Sequence, residues 1–186
     1  MKLKVVVCLL SLIFVSGKAA VAQDVHKLDV FAGYSYVNLH PATEGVDNVE
    51  LHGGSASAAY NVNRWFGLVG DFGGYHAGNI QNSGLGVNIE TYLFGPRFSY
   101  RTSRRLTPFA QILFGGAHVN GDVLGAHPSD NAFAMAVGGG LDVKLSHRFS
   151  VRPVQVEYLQ TRFNEISGPS VTQDSLRLST GIVFHF

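Results

Sequence analysis

The sequence predicts an all-β fold, an eight-stranded antiparallel up-and-down barrel that crosses a membrane with its strands. Three observations carry this reading. Segments of about ten residues alternate between bulky apolar and small or polar side chains, the period of a strand with two different faces. The chain is rich in turn and interface residues, with 22 glycines, 13 phenylalanines and 7 tyrosines. Charged residues make up only 15%, well below the quarter or so usual in soluble domains. The same numbers exclude a disordered chain, and a formal charge of +1 leaves no basic face for nucleic acid.

The first element is an address. Lys2 and Lys4 precede the apolar run Val5 to Val15, which is too short to span a bilayer as a helix. Ala20-Val21-Ala22 then offers a small-x-small cleavage site. Residues 1–22 are expected to be a cleaved signal peptide and residues 23–186 the barrel domain. Cys8, the only cysteine, sits within the apolar run rather than at its end. It is therefore not placed to carry lipid, and the exported chain has neither disulfides nor thiol chemistry.

The strands follow in order. The first, near 28–38, sets Leu28, Val30, Ala32, Tyr34 and Tyr36 against Asp29, Gly33 and Ser35. The second and third, 51–62 and 66–76, are joined by the short turn Asn63-Arg64-Trp65. The fourth, 89–100, opposes Tyr92, Phe94, Pro96, Phe98 and Tyr100 to Thr91, Gly95, Arg97 and Ser99, and reaches the fifth, 107–118, through Arg101 to Leu106. The sixth, 132–145, opposes Val137, Gly139, Leu141, Val143 and Leu145 to Ala136, Gly138, Gly140, Asp142 and Lys144. It turns through Ser146-His147-Arg148 into the seventh, 149–162. The eighth, 174–186, is the clearest, with Leu176, Leu178, Thr180, Ile182, Phe184 and Phe186 on one face and Ser175, Arg177, Ser179, Gly181, Val183 and His185 on the other.

Alternation alone permits a soluble barrel with its apolar face inward or a membrane barrel with that face in lipid. The less bulky face decides between them. A core of mainly Gly, Ala and Ser buries too little area to offset its ordering entropy, whereas small side chains and a few charges suit the narrow interior of eight strands. The bulky face therefore points outward. Ten residues at about 3.3 Å each, tilted about 45°, span roughly 23 Å, close to the apolar band of such barrels.

Aromatics near the segment ends are expected to form interfacial girdles: Tyr60, Trp65, Phe66, Tyr100, Phe109, Phe149 and Phe186 on one rim, Tyr34, Tyr36, Tyr75, Tyr92 and Phe133 on the other. Short turns follow the even strands and longer loops the odd ones, which places both termini in the periplasm and four loops outside. Arg64, Arg101, Arg104, Arg105 and Arg148 sit on the short-turn side, where they meet phospholipid phosphates. Glu44, Asp47, Glu50, Asp122, Asp130 and Glu165 fall in the long loops.

The terminal pattern Leu178-x-Thr180-x-Ile182-x-Phe184-x-Phe186 resembles the last strand of small eight-stranded outer-membrane barrels similar to the OmpA transmembrane domain and OmpX. Phe94-Gly95-Pro96-Arg97-Phe98, Gly138-Gly139-Gly140-Leu141-Asp142 and Gly33-Tyr34-Ser35-Tyr36 also resemble segments of barrel-only members. The resemblance implies a Gram-negative outer membrane, lipid as surroundings, and a monomer. It further implies that Thr180, Ile182, Phe184 and Phe186 form a signal read by the barrel-assembly machinery after escort by periplasmic chaperones. The peptidoglycan-binding domain that follows the barrel in OmpA proper has no counterpart in this sequence, so cell-wall anchoring is not carried over.

Seven charges are expected inside the barrel: Asp29, Asp71, Arg97, Asp142, Lys144, Glu157 and Arg177. Buried charges must pair, so Arg97 and Arg177 are expected to meet Asp142 or Glu157, as a salt-bridged plug rather than an ion path. If Arg152 also faces inward, the strand must bulge near Pro153. His127-Pro128-Ser129, with Asp130 or Asp142, resembles the His-x-Ser spacing of eight-stranded lipid A deacylases, but the proline departs from it and the segment reads as a turn. His40, His52, His76, His118 and His127 show no ligand spacing and read as interfacial polar residues, so no metal and no cofactor is expected. The function predicted is non-enzymatic, an envelope-structural or surface-interaction role. The alternatives are a small pore, an outer-leaflet lipid A hydrolase using His127 and Ser129, and a soluble periplasmic barrel.

Overall fold

The computed structural model describes residues 26–40, 49–78, 86–101, 105–122, 129–163 and 171–186. Its strands are β1 (Leu28–His40), β2 (Val49–Asn61), β3 (Phe66–Ala77), β4 (Gly86–Ser99), β5 (Leu106–Asp122), β6 (Ser129–Lys144), β7 (Phe149–Phe163) and β8 (Val171–His185). Each pairs antiparallel with its sequence neighbours, and β8 closes on β1, so the sheet is a barrel without an edge. Closure gives every strand backbone a partner on both sides, as a bilayer core demands.

Several strands run further toward the loop end than alternation shows. Gly86 pairs with Asp122, and Asn120 with Ser129, because ladder hydrogen bonds continue past the point where the outward side chains turn polar. At the other end the turns are tight. Asn63 Oδ1 accepts from the backbone N–H of Trp65 and Phe66 at 2.8 and 2.9 Å, an Asx turn that reverses the chain in few residues. Ser146 Oγ does the same for the N–H of Arg148 at 3.1 Å.

The wall is lipophilic outside. Leu68, Phe72, Phe94, Phe98, Ile112, Phe114, Val156 and Ile182 are exposed. Two outward glycines are covered by neighbouring rings, Gly116 by Tyr92 and Gly70 by Phe94, which smooths the surface presented to acyl chains. Tyr60, Trp65, Tyr100, Phe149 and Phe186 stand exposed toward the turn end, and Tyr34, Tyr92 and Phe133 toward the other. Two girdle assignments are corrected. Phe109 and Tyr75 are only 6% and 3% exposed and point into the lumen, since strand parity places Phe109 with Gln111 and Tyr75 with Asp71. Phe31 is also buried there.

The interior is more apolar than a lining of glycine and serine. Leu51, Leu93, Leu113 and Leu159 are fully buried, packed with Ala117, Ala134 and Ala136 in clusters that Ile89 joins. Toward the loop end, Val37, Leu39, Leu51, Ile89, Val119 and Leu159 line a cavity of only about 20 Å³, room for roughly one water.

The bulge near Pro153 is present. The β7–β8 register shifts between Arg152 and Gln155, so Pro153 and Val154 both face out while Arg152, Gln155 and Glu157 all face in. Proline has no N–H for the ladder, and a bulge is where a strand tolerates that loss.

Candidate functional site in the barrel lumen

Glu157 is the centre of the charged interior. Its Oε2 lies 2.6 Å from Arg177 Nη2 and accepts from Arg177 Nε at 2.8 Å. Gln155 Nε2 donates to the same oxygen at 2.7 Å, and Gln111 Nε2 to Oε1 at 2.7 Å. Arg177 Nη1 donates in turn to Asp71 Oδ1 at 2.8 Å and to the Tyr75 hydroxyl at 2.9 Å. Arg177 and Glu157 are both fully buried. One cation thus serves two carboxylates, and two amides fill the remaining lone pairs of Glu157, the condition under which buried charge is tolerable.

The network continues toward the turn end. Arg152 grips Asp142 with both prongs, Nε to Oδ1 at 2.6 Å and Nη2 to Oδ2 at 3.1 Å, the bidentate match of a guanidinium and a carboxylate. Its Nη1 reaches Gln155 Oε1 at 2.7 Å. Gln155 therefore accepts from Arg152 through its carbonyl and donates to Glu157 through its NH2, as a neutral amide can. The chain Asp142–Arg152–Gln155–Glu157–Arg177–Asp71 crosses the lumen unbroken.

Of the four charges predicted to form the network, Arg177 and Glu157 meet. Arg97 meets neither acid. Its Nε donates to Gln111 Oε1 at 2.8 Å, and its guanidinium lies 4.4 Å from the centre of the Phe109 ring. Asp142, its expected partner, is taken by Arg152, which the bulge swings inward. Arg152 itself packs against Phe109 and Phe31 at 4.3 and 4.4 Å, contacts between guanidinium and aromatic face that strengthen when water is excluded. Sequence reasoning missed these rings because it sorted aromatics by nearness to strand ends; counting parity from Gln111 would have found Phe109.

The lumen glycines make room for this machinery. A Cβ on Gly138 would strike the side chain of Glu157, and one on Gly140 the ring of Phe109. One on Gly33 or Gly181 would strike the ring of Phe31, and one on Gly73 the hydroxyl of Tyr75. Small residues here are the complement of large ones beside them on the same or the adjacent strand.

The other candidates lie elsewhere. His127 falls outside the described residues, as does the side chain of Ser129. His52, His76 and His118 stand on the outer wall near the loops. Their Nδ1 atoms contact the Tyr34 hydroxyl at 2.5 Å, Asn88 Oδ1 at 2.8 Å and Asn131 Oδ1 at 2.9 Å. Among the described residues no group of histidines and acids is arranged to hold a metal. In β8, Leu178, Ile182 and Phe184 are exposed on the lipid face, as is Phe186 just beyond the strand, and the Thr180 hydroxyl donates to the Arg152 carbonyl at 3.1 Å beside the bulge.

A closed eight-stranded antiparallel wall has a counterpart in sequence families. Residues 6–184 match the family of the outer membrane protein beta-barrel domain. The chain belongs to that family. No curated protein matches it in sequence. This outer-membrane barrel is similar in fold to Ail of Yersinia pestis, at 16% identity and TM-score 0.62 over 87% of this chain and 99% of that one. It is similar to Neisserial surface protein A at 12% identity and TM-score 0.67, over 86% and 97%. The N-terminal barrel domain of Pseudomonas aeruginosa OprF gives 12% identity and TM-score 0.54 over 87% and 98%. At these identities the likeness is one of fold. Family and fold together place the protein in the outer membrane of a Gram-negative envelope.

Proposed function

We propose that this protein is a plugged outer-membrane barrel with an envelope-structural or surface-interaction role, its specificity carried by the loop end. What supports this reading is the set of side chains that meet inside the barrel. The ion-paired network occupies its centre, and leucines and alanines occupy the levels beyond Gln111 and Glu157, where a dry apolar constriction also opposes ion passage. The role requires no catalysis. Both termini lie in the periplasm on this reading, with the arginines of the short turns against inner-leaflet phosphates, apart from Arg101, which is tied to Asp29 and Asn61 instead. Surface ligands have precedent on the fold, since Ail has been solved in complex with the heparin analogue sucrose octasulfate.

Planar-bilayer recording tests the plug. The purified barrel is expected to insert without unitary conductance steps. Regular ion-selective steps would make it a small pore and overturn this reading.

The terminal strand carries a second expectation, recognition by the barrel-assembly machinery as a monomer delivered by periplasmic chaperones. Phe186→Ser is expected to cut outer-membrane accumulation in cells several-fold while leaving unassisted refolding into lipid vesicles unchanged. Phe186 is 69% exposed and holds little of the barrel together, so an equal defect in both assays would show a structural role instead.

A further inference from the structure

The turn-end mouth, away from the plug, holds a hydrogen-bonded relay that the structural role does not use. Ser150 Oγ lies 2.7 Å from His185 Nε2, and His185 Nδ1 lies 2.6 Å from Asp29 Oδ1. The other carboxylate oxygen of Asp29 accepts from Asn61 Nδ2 at 2.7 Å and from Arg101 Nη2 at 3.1 Å. The residues come from β7, β8 and β1, and barrel closure brings them together, with Asp29 paired to His185 in the ladder. An acid on Nδ1 keeps the proton there and turns the lone pair of Nε2 onto the serine hydroxyl, the arrangement by which an imidazole activates a serine.

The surroundings are cationic. Lys144 is directly opposite Ser150 in the register, Arg148 is exposed on the adjoining turn, and Arg101 holds Asp29. His26 stacks on His185 at 5.2 Å between ring centres. Burial holds His26 below the ordinary histidine range.

We propose that Ser150 is a nucleophile toward small carboxylic esters on anionic carriers, with His185 as general base and Asp29 as the acid that orients it. Ser150 is 2% exposed, just inside the rim, so the acyl group is short, of acetyl size, and the cations favour an anionic carrier. In the first step the Oγ proton passes to His185 Nε2 as Oγ bonds to the ester carbon. Positive charge on Lys144 offsets the oxyanion. The ester C–O bond then breaks and the alcohol leaves with the proton from His185. Water attacks the acyl-serine, gives its proton to His185, and releases the carboxylic acid as Ser150 regains its hydrogen. The net reaction is ester hydrolysis, with no other reactant.

The test uses the full chain refolded in lipid vesicles, its fold checked by the heat-dependent gel shift. Treated with methanesulfonyl fluoride, a reagent of acetyl size, it is expected to gain one methanesulfonyl group, mapped to Ser150 by peptide mass and absent from Ser150→Ala. In His185→Gln both labelling and p-nitrophenyl acetate hydrolysis are expected to slow by about a hundredfold, the usual worth of a general base. Asp29→Asn provides a second, isosteric variant that slows both without removing the ring. No adduct on the folded barrel, or an unchanged rate in His185→Gln and Asp29→Asn, overturns the proposal and leaves the three residues as a hydrogen-bonded seal of the mouth. Neither result bears on conductance, so this proposal and the plug stand or fall separately.

Discussion

Arg177→Ala is expected to lower the unfolding free energy in lipid vesicles by about 3–5 kcal/mol, the cost of breaking a buried ion pair from one side. Arg177 is the cation that holds Glu157 at 2.6 Å and Asp71 at 2.8 Å, and all three are buried to within 1%. Its removal strands two buried carboxylates without their cation. The triple change Arg177→Met, Glu157→Gln and Asp71→Asn removes the charges together and is expected to recover most of the loss. Urea titration followed by the fluorescence of Trp65, the single tryptophan, measures both. A loss under about 1 kcal/mol, the worth of a solvated surface pair, would show that water reaches the network and that the lumen is not plugged.

The second large effect lies on the outer face. Phe114→Arg is expected to cost about 2–4 kcal/mol, and His118→Arg, on the same strand and two outward steps nearer the loops, about 0–1 kcal/mol. Both side chains project from the outer wall of β5; Phe114 sits level with Phe94 in the ladder, His118 level with Glu90 and Asn131. An arginine at the first position is held in hydrocarbon, whereas at the second it reaches headgroups. The same titration reads the difference. Equal costs would mean that the apolar band does not centre on Phe114, and the inside–outside assignment would need revision.

Which residues face lipid was legible because side-chain direction alternates strictly along a strand, so each segment declares its two faces without knowledge of its neighbours. The run from Leu176 to Phe186 shows this, and so does the bulge at Pro153, which follows from placing both Arg152 and Glu157 inside. Phe109 and Tyr75 were misplaced because nearness to a strand end was allowed to override parity. The strand extensions at Gly86 and Ser129 were illegible for another reason. At Ser129 the residues are all polar, and at Gly86 the pattern inverts, with Val87 and Ile89 turned inward and Asn88 and Glu90 outward.

Partners across the lumen are a different kind of information. Arg177 meets Asp71 over 106 residues of sequence, and His185 meets Asp29 over 156. Composition called for arginines and acids to pair inside, but not for Arg152 to take Asp142 and leave Arg97 to Gln111 and an aromatic ring. That choice depends on the register of the strands and on a bulge that advances one side chain by a residue. The amino-acid sequence by itself determined the barrel, its membrane and which face each residue occupies, since alternation is a property of single strands. The ion pairs across the lumen and the Ser150–His185–Asp29 hydrogen bonds were decided only when β8 closed on β1, because closure alone sets the distances between strands remote in the chain.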